Sequence, residues 1–301
     1  MIDSKVLKWI EYVDESTMGT TPTDPTMVAF PGEIIDFSPS SVAEFDEYPI
    51  LKGASDSDPL SSGKAVKSGE THDMSVTIKP SAMSMLPYAL LGATSTTFAP
   101  GTTPHYVSLG MIVGSKYAVM SGCPIKSITT EFPDKKTAAI QTIEFLGAER
   151  VDWGATDFIG TGSHGTAPGT SPFTMADLSN VLYDGSAPSA SNIMIDSLKF
   201  TIDNAVEPVI DLASSFASKV GDYQYGQRGI DLELGVSLLD VDVLDDVLGG
   251  AAHTFAFTLD GKTYTFSDVK WVNQPDTKMS PADALGMSLQ SSSGATRLAI
   301  A

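Results

Sequence analysis

The sequence predicts a mainly β protein, built as a tandem pair of antiparallel β-sandwich or half-barrel units with one short α-helix each. Three observations point there. Asp231–Thr254 repeats Asp73–Thr96 without a gap, 158 residues further on (231 against 73). Asp73, Leu86, Leu90, Gly92, Ala93 and Thr96 stand against Asp231, Leu244, Leu248, Gly250, Ala251 and Thr254. Short runs alternate apolar and polar residues, the period-two signature of half-buried strands. Turn signals also punctuate these runs in the same order in both halves.

In chain order, Met1–Ser16 mixes apolar and charged residues without a period and reads as a short strand or arm, leading into the Thr-, Pro- and Gly-rich loop Thr17–Pro31. The whole N-terminal arm is 1–31. Glu33–Phe37 is a short strand, and Pro49–Leu51 begins another apolar stretch. Lys52–Gly69 has the composition of a mobile loop, and connections that long tend to carry function or disorder. His72–Lys79 alternates cleanly, with Met74, Val76 and Ile78 on one face. Ser81–Leu91 has apolar residues near helical spacing, with Pro80 and Ser81 as a start and Gly92 as a stop. Tyr106–Val113 and Lys116–Met120 flank Gly114-Ser115 as a hairpin; Ile125–Phe132 and Ala138–Leu146 flank a second turn at Pro133–Lys136.

Composition breaks at Gly147–Pro172, which is rich in Gly and Pro and separates a first unit (1–150) from a second (173–301) through a connector at 151–172. The second half then repeats the order. Ile193–Asp203 is a strand, Glu207-Pro208-Val209-Ile210 echoes Tyr48-Pro49-Ile50-Leu51, and Asp211–Arg228 is a second long loop. Asp231 opens the repeated strand and helix. Phe255–Leu259 and Lys262–Phe266 flank Asp260-Gly261, the strongest hairpin signal in the chain. Val269–Val272 and Met287–Ile300 complete the unit, and Gln274–Lys278 echoes Phe132–Lys136.

The net charge of −19 disfavours a groove that grips nucleic acid through cationic phosphate contacts. Solubility and a high-salt host both account for such acidity. No apolar run reaches the ~18 residues of a membrane span, so no membrane insertion is expected. Met1–Glu15 lacks the basic start and apolar core of a secretory signal. The lone Cys123 cannot form an internal disulfide, which suits folding in a host cytoplasm.

No chemistry-bearing constellation emerges, and no enzyme, metal or cofactor is expected. Gly160–Gly165 fits GxGxxG but is followed by Pro168 and more Gly rather than a helix. The four histidines, His72, His105, His164 and His253, have no metal-ligand spacing. Asp240, Asp242, Asp245 and Asp246 lack the central Gly and closing Glu of an EF-hand loop and suit the first turn of a helix better. No GxSxG is present, and Glu131 and Glu144 read as an ordinary strand-surface pair.

At Ile193–Ile230 the chain resembles the tail tube proteins of long-tailed phages and related archaeal viruses. The resemblance rests on Asp203-Asn204-Ala205-Val206-Glu207-Pro208 ending a strand and on Gly226-Gln227-Arg228-Gly229-Ile230 opening the next. Glu15-Ser16-Thr17-Met18-Gly19-Thr20-Thr21-Pro22 and the run from Cys123-Pro124-Ile125-Lys126-Ser127-Ile128 to Glu149-Arg150 are also similar to that family. It implies a structural virion protein of the tail, a β-sandwich with a flanking helix whose rings stack into a hollow tube for DNA ejection. Two units per chain then imply trimeric, pseudo-sixfold rings, with hexameric rings as the alternative. The implied partners are further copies of the chain, a tape measure protein, a tail terminator, baseplate proteins and, in passing, viral DNA. Asp231, Glu233, Lys199, Thr201 and Asp73 are the lumen-facing candidates, ring-to-ring contact being the other reading of them. Lys52, Asp56, Asp58, Lys64, Asp222, Tyr223, Tyr225 and Arg228 are the inter-ring loop candidates. A tail terminator, baseplate hub or capsid decoration protein is the runner-up. A secreted carbohydrate-binding sandwich or adhesin comes third, disfavoured by few aromatics (8%).

Overall fold

The structure is a computed structural model that describes residues 8–49, 63–89, 105–148, 151–188, 193–210, 220–238, 249–272, 285–292 and 296–301. In chain order these form β1 (Lys8–Asp14), β2 (Val28–Ala29), β3 (Gly32–Pro49), β4 (Gly63–Pro80), α1 (Leu86–Ala89), β5 (Val107–Val113), β6 (Lys116–Cys123), β7 (Ile125–Phe132) and β8 (Ile140–Gly147). A 3-10 turn at Met175–Asp177 follows. Then come β9 (Ser179–Tyr183), β10 (Ile193–Asp203), β11 (Val206–Ile210), β12 (Val220–Tyr225), β13 (Gly229–Leu238), β14 (His253–Leu259), β15 (Lys262–Val269), β16 (Leu285–Gln290) and β17 (Arg297–Ile300).

The strands pair into four antiparallel sheets. The largest has seven strands in the order β3-β4-β8-β7-β10-β13-β16; two four-stranded sheets, β2-β1-β5-β6 and β9-β14-β15-β17, and the ribbon β11-β12 complete the set. Alternation explains the layering. Met74, Val76 and Ile78 on β4 and Leu198, Phe200 and Ile202 on β10 are buried, while their neighbours along each strand are partly or fully exposed. Those inner faces share one core with Ile10, Tyr12, Leu109 and Met111 of one small sheet and Phe255, Phe257, Tyr264 and Phe266 of the other. The Phe200 ring lies 5.6 Å from Phe266 and 6.3 Å from Phe257; Phe30 meets Phe145 edge-on at 6.2 Å. Each such ring contributes roughly 1.5–3 kcal/mol through burial.

The halves of the chain join inside the large sheet. β7 pairs with β10 from Phe132↔Leu198 to Ser127↔Asp203, and the Thr129 and Thr201 hydroxyls meet across that seam at 2.9 Å. The β11–β12 ribbon folds back onto the first half, packing Val206, Val220 and Tyr223 against Leu146 and Ala148. Tyr223 donates its hydroxyl to the Gly122 carbonyl at 3.0 Å. Buried Asn204 donates its side-chain amide to the Ile125 carbonyl at 2.9 Å and accepts from Arg228 Nε at 2.9 Å.

The same irregularities occur in both halves at fixed spacings. The β5–β6 register slips between Val107↔Cys123 and Leu109↔Met120; β14–β15 slips between His253↔Val269 and Phe255↔Phe266, each position 146 residues on (107 to 253, 123 to 269). Gly122 and Asp268, also 146 apart, both take positive φ, 65° and 55°. Tyr117 exchanges backbone hydrogen bonds with Gly154, as Thr263 does with Ala301. The first of two β3–β4 bulges lies between Ile34 and Asp36, the second being between Glu44 and Phe45, and the β10–β13 bulge lies between Ile195 and Ser197; beyond the first, Phe37↔Val76 matches Leu198↔Leu234.

Several expectations are corrected. The loop expected over 52–69 is strand from Gly63 onward, and the loop expected over 211–228 contains β12, because both flanks continue the ladders of β3 and β11. β3 runs to Pro49 rather than ending at Phe37. The helix expected over Ser81–Leu91 is, among the described residues, one turn at Leu86–Ala89, with Pro87 inside its first turn. The second expected helix, with Asp240, Asp242, Asp245 and Asp246, lies outside the described residues, as does the Gln274–Lys278 echo. Met287–Ile300 is two strands in different sheets. The Pro49–Pro208 echo is displaced: Glu47↔Ala65 is the pairing that corresponds to Pro208↔Tyr223.

Asn204→Ala strands the buried Ile125 carbonyl and the Arg228 guanidinium at the seam. A loss of about 1–3 kcal/mol is expected in equilibrium denaturation; a loss under ~0.5 kcal/mol would show that the seam does not depend on this side chain.

Candidate functional surface

The face of the seven-stranded sheet turned away from the core is largely polar and crosses the seam, interrupted by exposed Ile140 beside Glu131. Register builds it in rows. One row reads Asp36, Thr77, Thr142, Thr129, Thr201, Asp231 across six adjacent strands. Another reads Ser38, Ser75, Glu144, Ser127, Asp203. A third pairs Glu33 with Lys79 at one end and runs Glu131, Lys199, Glu233, Gln290 at the other. Short hydroxyls dominate because residues pointing out of a sheet are set by strand alternation alone and bear no packing demand.

Side chains in these rows satisfy one another laterally. Ser127 donates to Glu144 at 3.0 Å and Ser288 to Glu233 at 3.0 Å. Lys199 Nζ lies 3.8 Å from Glu233, and Lys79 Nζ 3.0 Å from Glu33, so the two cations of the rows are already committed to carboxylates. Both pairs are substantially exposed and contribute little to stability. The rows contain neither arginine nor an aromatic ring. Duplex binding needs cations for phosphates and single-strand binding needs stacking platforms; this face supplies repulsion and hydration instead.

Four of the five lumen candidates, Lys199, Thr201, Asp231 and Glu233, stand opposite one another on β10 and β13. Asp73 lies within β4, near the end of its ladder with β8, on the face of Ser75 and Thr77 and opposite Leu146, where the β11–β12 ribbon covers the sheet. The inter-ring loop candidates are not one loop. Lys52, Asp56 and Asp58 lie outside the described residues, and Lys64 falls in β4. Asp222, Tyr223 and Tyr225 are strand residues of β12, and Arg228 directly precedes β13. Tyr223 and Arg228 are held within the chain by the bonds described above, because a buried ring and a guanidinium both need internal partners there.

Two acidic side chains do structural work that composition hides. The Glu15 carboxylate accepts from Gly19 N and Gly122 N, each at 2.8 Å, and from Ser108 Oγ at 2.5 Å, locking the start of the Glu15–Pro22 segment onto the β6 bulge. Glu11, fully buried, bonds the connector through His164 and Gly165. The glycines of Gly160–Gly165 have a physical reason beyond composition: Cβ atoms at Gly162 and Gly165 would collide with the backbone of Pro25 and Ala29. The only sequence signal was a histidine inside a glycine-rich run.

Among the described residues no group of His, Cys, Asp and Glu converges as a metal cluster, and no helix is long and apolar enough to cross a membrane. No protein-family model matches the chain, and no curated protein matches it.

Reversing three acidic positions, Glu131→Lys, Glu144→Lys and Glu233→Lys, should turn the face into a duplex-binding surface. Fluorescence anisotropy with a labelled duplex should show no binding by the parent. The variant should bind with a log–log salt slope of about −3, one unit per new phosphate contact.

Proposed function

We propose that this chain is the tube subunit of a viral tail, a tandem pair of tail-tube units that assembles with its own copies into stacked rings around a DNA channel. The coincident bulges support the duplication: two independent strand pairs in each half slip at the same relative positions, which convergence on a similar outline would not require. On this reading the second unit begins at β9, and the connector lengthens to about 155–178.

The observation that carries the reading is the seam. β10 of the second unit pairs with β7 of the first, head to tail, and among the described residues β3 and β16 are the outermost strands of the sheet. The position of β10 in the second unit is that of β3 in the first, and β3 is an outermost strand of the sheet. At the opposite end, Trp271 bridges Ser291 as Ile125 pairs with Phe145 in the first unit. A copy of the seam between chains, in which Asp203 pairs with Ser127, would therefore set Val42, the counterpart of Asp203, opposite position 273, the counterpart of Ser127 and the residue next to Val272. Val42 on the outermost strand β3 is 52% exposed and Val272, which follows the Trp271–Ser291 bridge, is 59% exposed, both large apolar side chains. Repeating the seam ends either in a closed ring or in an open filament, and closure is what removes the sheet edges. The polar rows then line the inner wall, and the acidic face lets DNA pass without adhering.

Electron microscopy of concentrated protein should show hollow tubes with three chains per ring. Six chains per ring would keep the tube and sink the pairing of units. Val42→Asp should yield a folded chain, by circular dichroism, that no longer polymerises. Labelling of capsids rather than tails by antibody would favour a decoration protein instead.

A further inference from the structure

The connector is strapped across the outer face of the β2-β1-β5-β6 sheet by a histidine held between two carboxylates. His164 Nδ1 lies 2.6 Å from Glu11 Oε1, and Nε2 lies 3.0 Å from Asp157 Oδ2. Neither carboxylate, when ionised, can donate, so both ring nitrogens must carry protons: the geometry is that of an imidazolium. Glu11 is 0% exposed on β1, and its second oxygen accepts from Gly165 N at 2.9 Å and Trp9 Nε1 at 3.1 Å. The strap is laced by further contacts on both sides of the histidine. Ser163 exchanges backbone bonds with Pro25 and Met27, and Thr161 N donates to Asp24 Oδ1 at 2.8 Å. Phe158 lies over Gly110 of β5, where any Cβ would strike its ring, and meets Tyr117 and His164 edge-on.

The corresponding face of the second half is built differently. There Leu182↔Ala256 takes the place of Glu11↔Gly110, an apolar pair with neither a carboxylate to anchor a strap nor a gap for a phenyl ring. The clasp is thus specific to one face.

We propose that this clasp is a proton-dependent latch: the strap lies down while His164 is charged and loosens when it loses its proton. A neutral imidazole keeps only one N–H, so one carboxylate would face a ring lone pair at hydrogen-bond distance. The titratable groups facing the ring are Glu11 from β1 and Asp157 from the strap; Asp24 and Tyr117 flank the strap's other contacts. Burial opposes the charge on His164, but the bonds and fields of Glu11 and Asp157 outweigh it and raise its pKa above the ordinary value. Below about pH 6.5 the imidazole is protonated whether the strap is docked or free, and the latch is at full strength. Its contribution declines as pH rises and is lost above the raised docked value. This inference does not rest on the tube reading.

The test is hydrogen exchange by mass spectrometry on the intact chain, corrected for the intrinsic pH dependence, beside an NMR titration of His164. Protection of 157–165 should fall with rising alkalinity by about tenfold for each unit by which the His164 pKa exceeds 6.5. Protection in β14–β15 should stay constant. In His164→Gln the strap should be weakly protected at every pH. A His164 pKa at or below the ordinary value, or a parent strap whose profile matches that of His164→Gln, would overturn the latch; the parent titration decides even if the variant folds poorly.

Discussion

The pairing of β7 with β10 is the constraint on which the rest of this molecule depends. Backbone groups in a sheet must find partners, and a sheet that stops in mid-protein leaves a row of them bare. The seam answers this between the halves with main-chain ladder bonds, the Thr129–Thr201 contact and buried Asn204. It also fixes how the two small sheets lie, because each packs its apolar side on the same continuous layer. The ribbon β11–β12 could not reach Leu146 and Ala148 if the halves met at any other register.

Much of this was legible in the residues. Strand alternation at His72–Lys79 put Met74, Val76 and Ile78 on one face, which is the buried one, since a period of two leaves no choice about which side chains share a side. Asp260-Gly261 marked its hairpin, and both residues take positive φ. The ribbon was not legible. Val220–Tyr225 carries Gly and Asp beside tyrosines, a composition that suits a loop, and only its pairing with β11 and the cover of Leu146 make it strand. The long arms of β3 and β4 were missed for the same reason: Ser, Pro and Gly there weaken propensity, and pairing overrides it.

The polar face shows the opposite imbalance. Its residues were visible one strand at a time, yet their order across the sheet was not, because sequence gives alternation and not which strand lies beside which. Thr142 and Thr129 come together through the β7–β8 pairing, and Thr201 joins them only because the chain returns after the connector. The clasp is harder still. Glu11 and His164 are separated by 153 residues, and the histidine sits in a run whose glycines look like filler until the backbone of residues 24–29 is placed against them.

On the proposed duplication, the two copies of the frame are free to diverge wherever their surroundings differ, and the differences mark where the surroundings differ. On that proposal the counterparts of Asp203 in the seam and Lys126 beside it, both polar, are Val42 and Val272. A seam already tied by a covalent chain can tolerate polar residues beside it, because the connector holds the halves at high effective concentration. A junction between separate chains has no such help and must recover its association cost from burial, which favours apolar side chains. The exposed valines are therefore where an inter-chain copy of the seam would need them. The Glu11–Gly110 pair follows the same logic in reverse, being present only in the half that has a connector to hold.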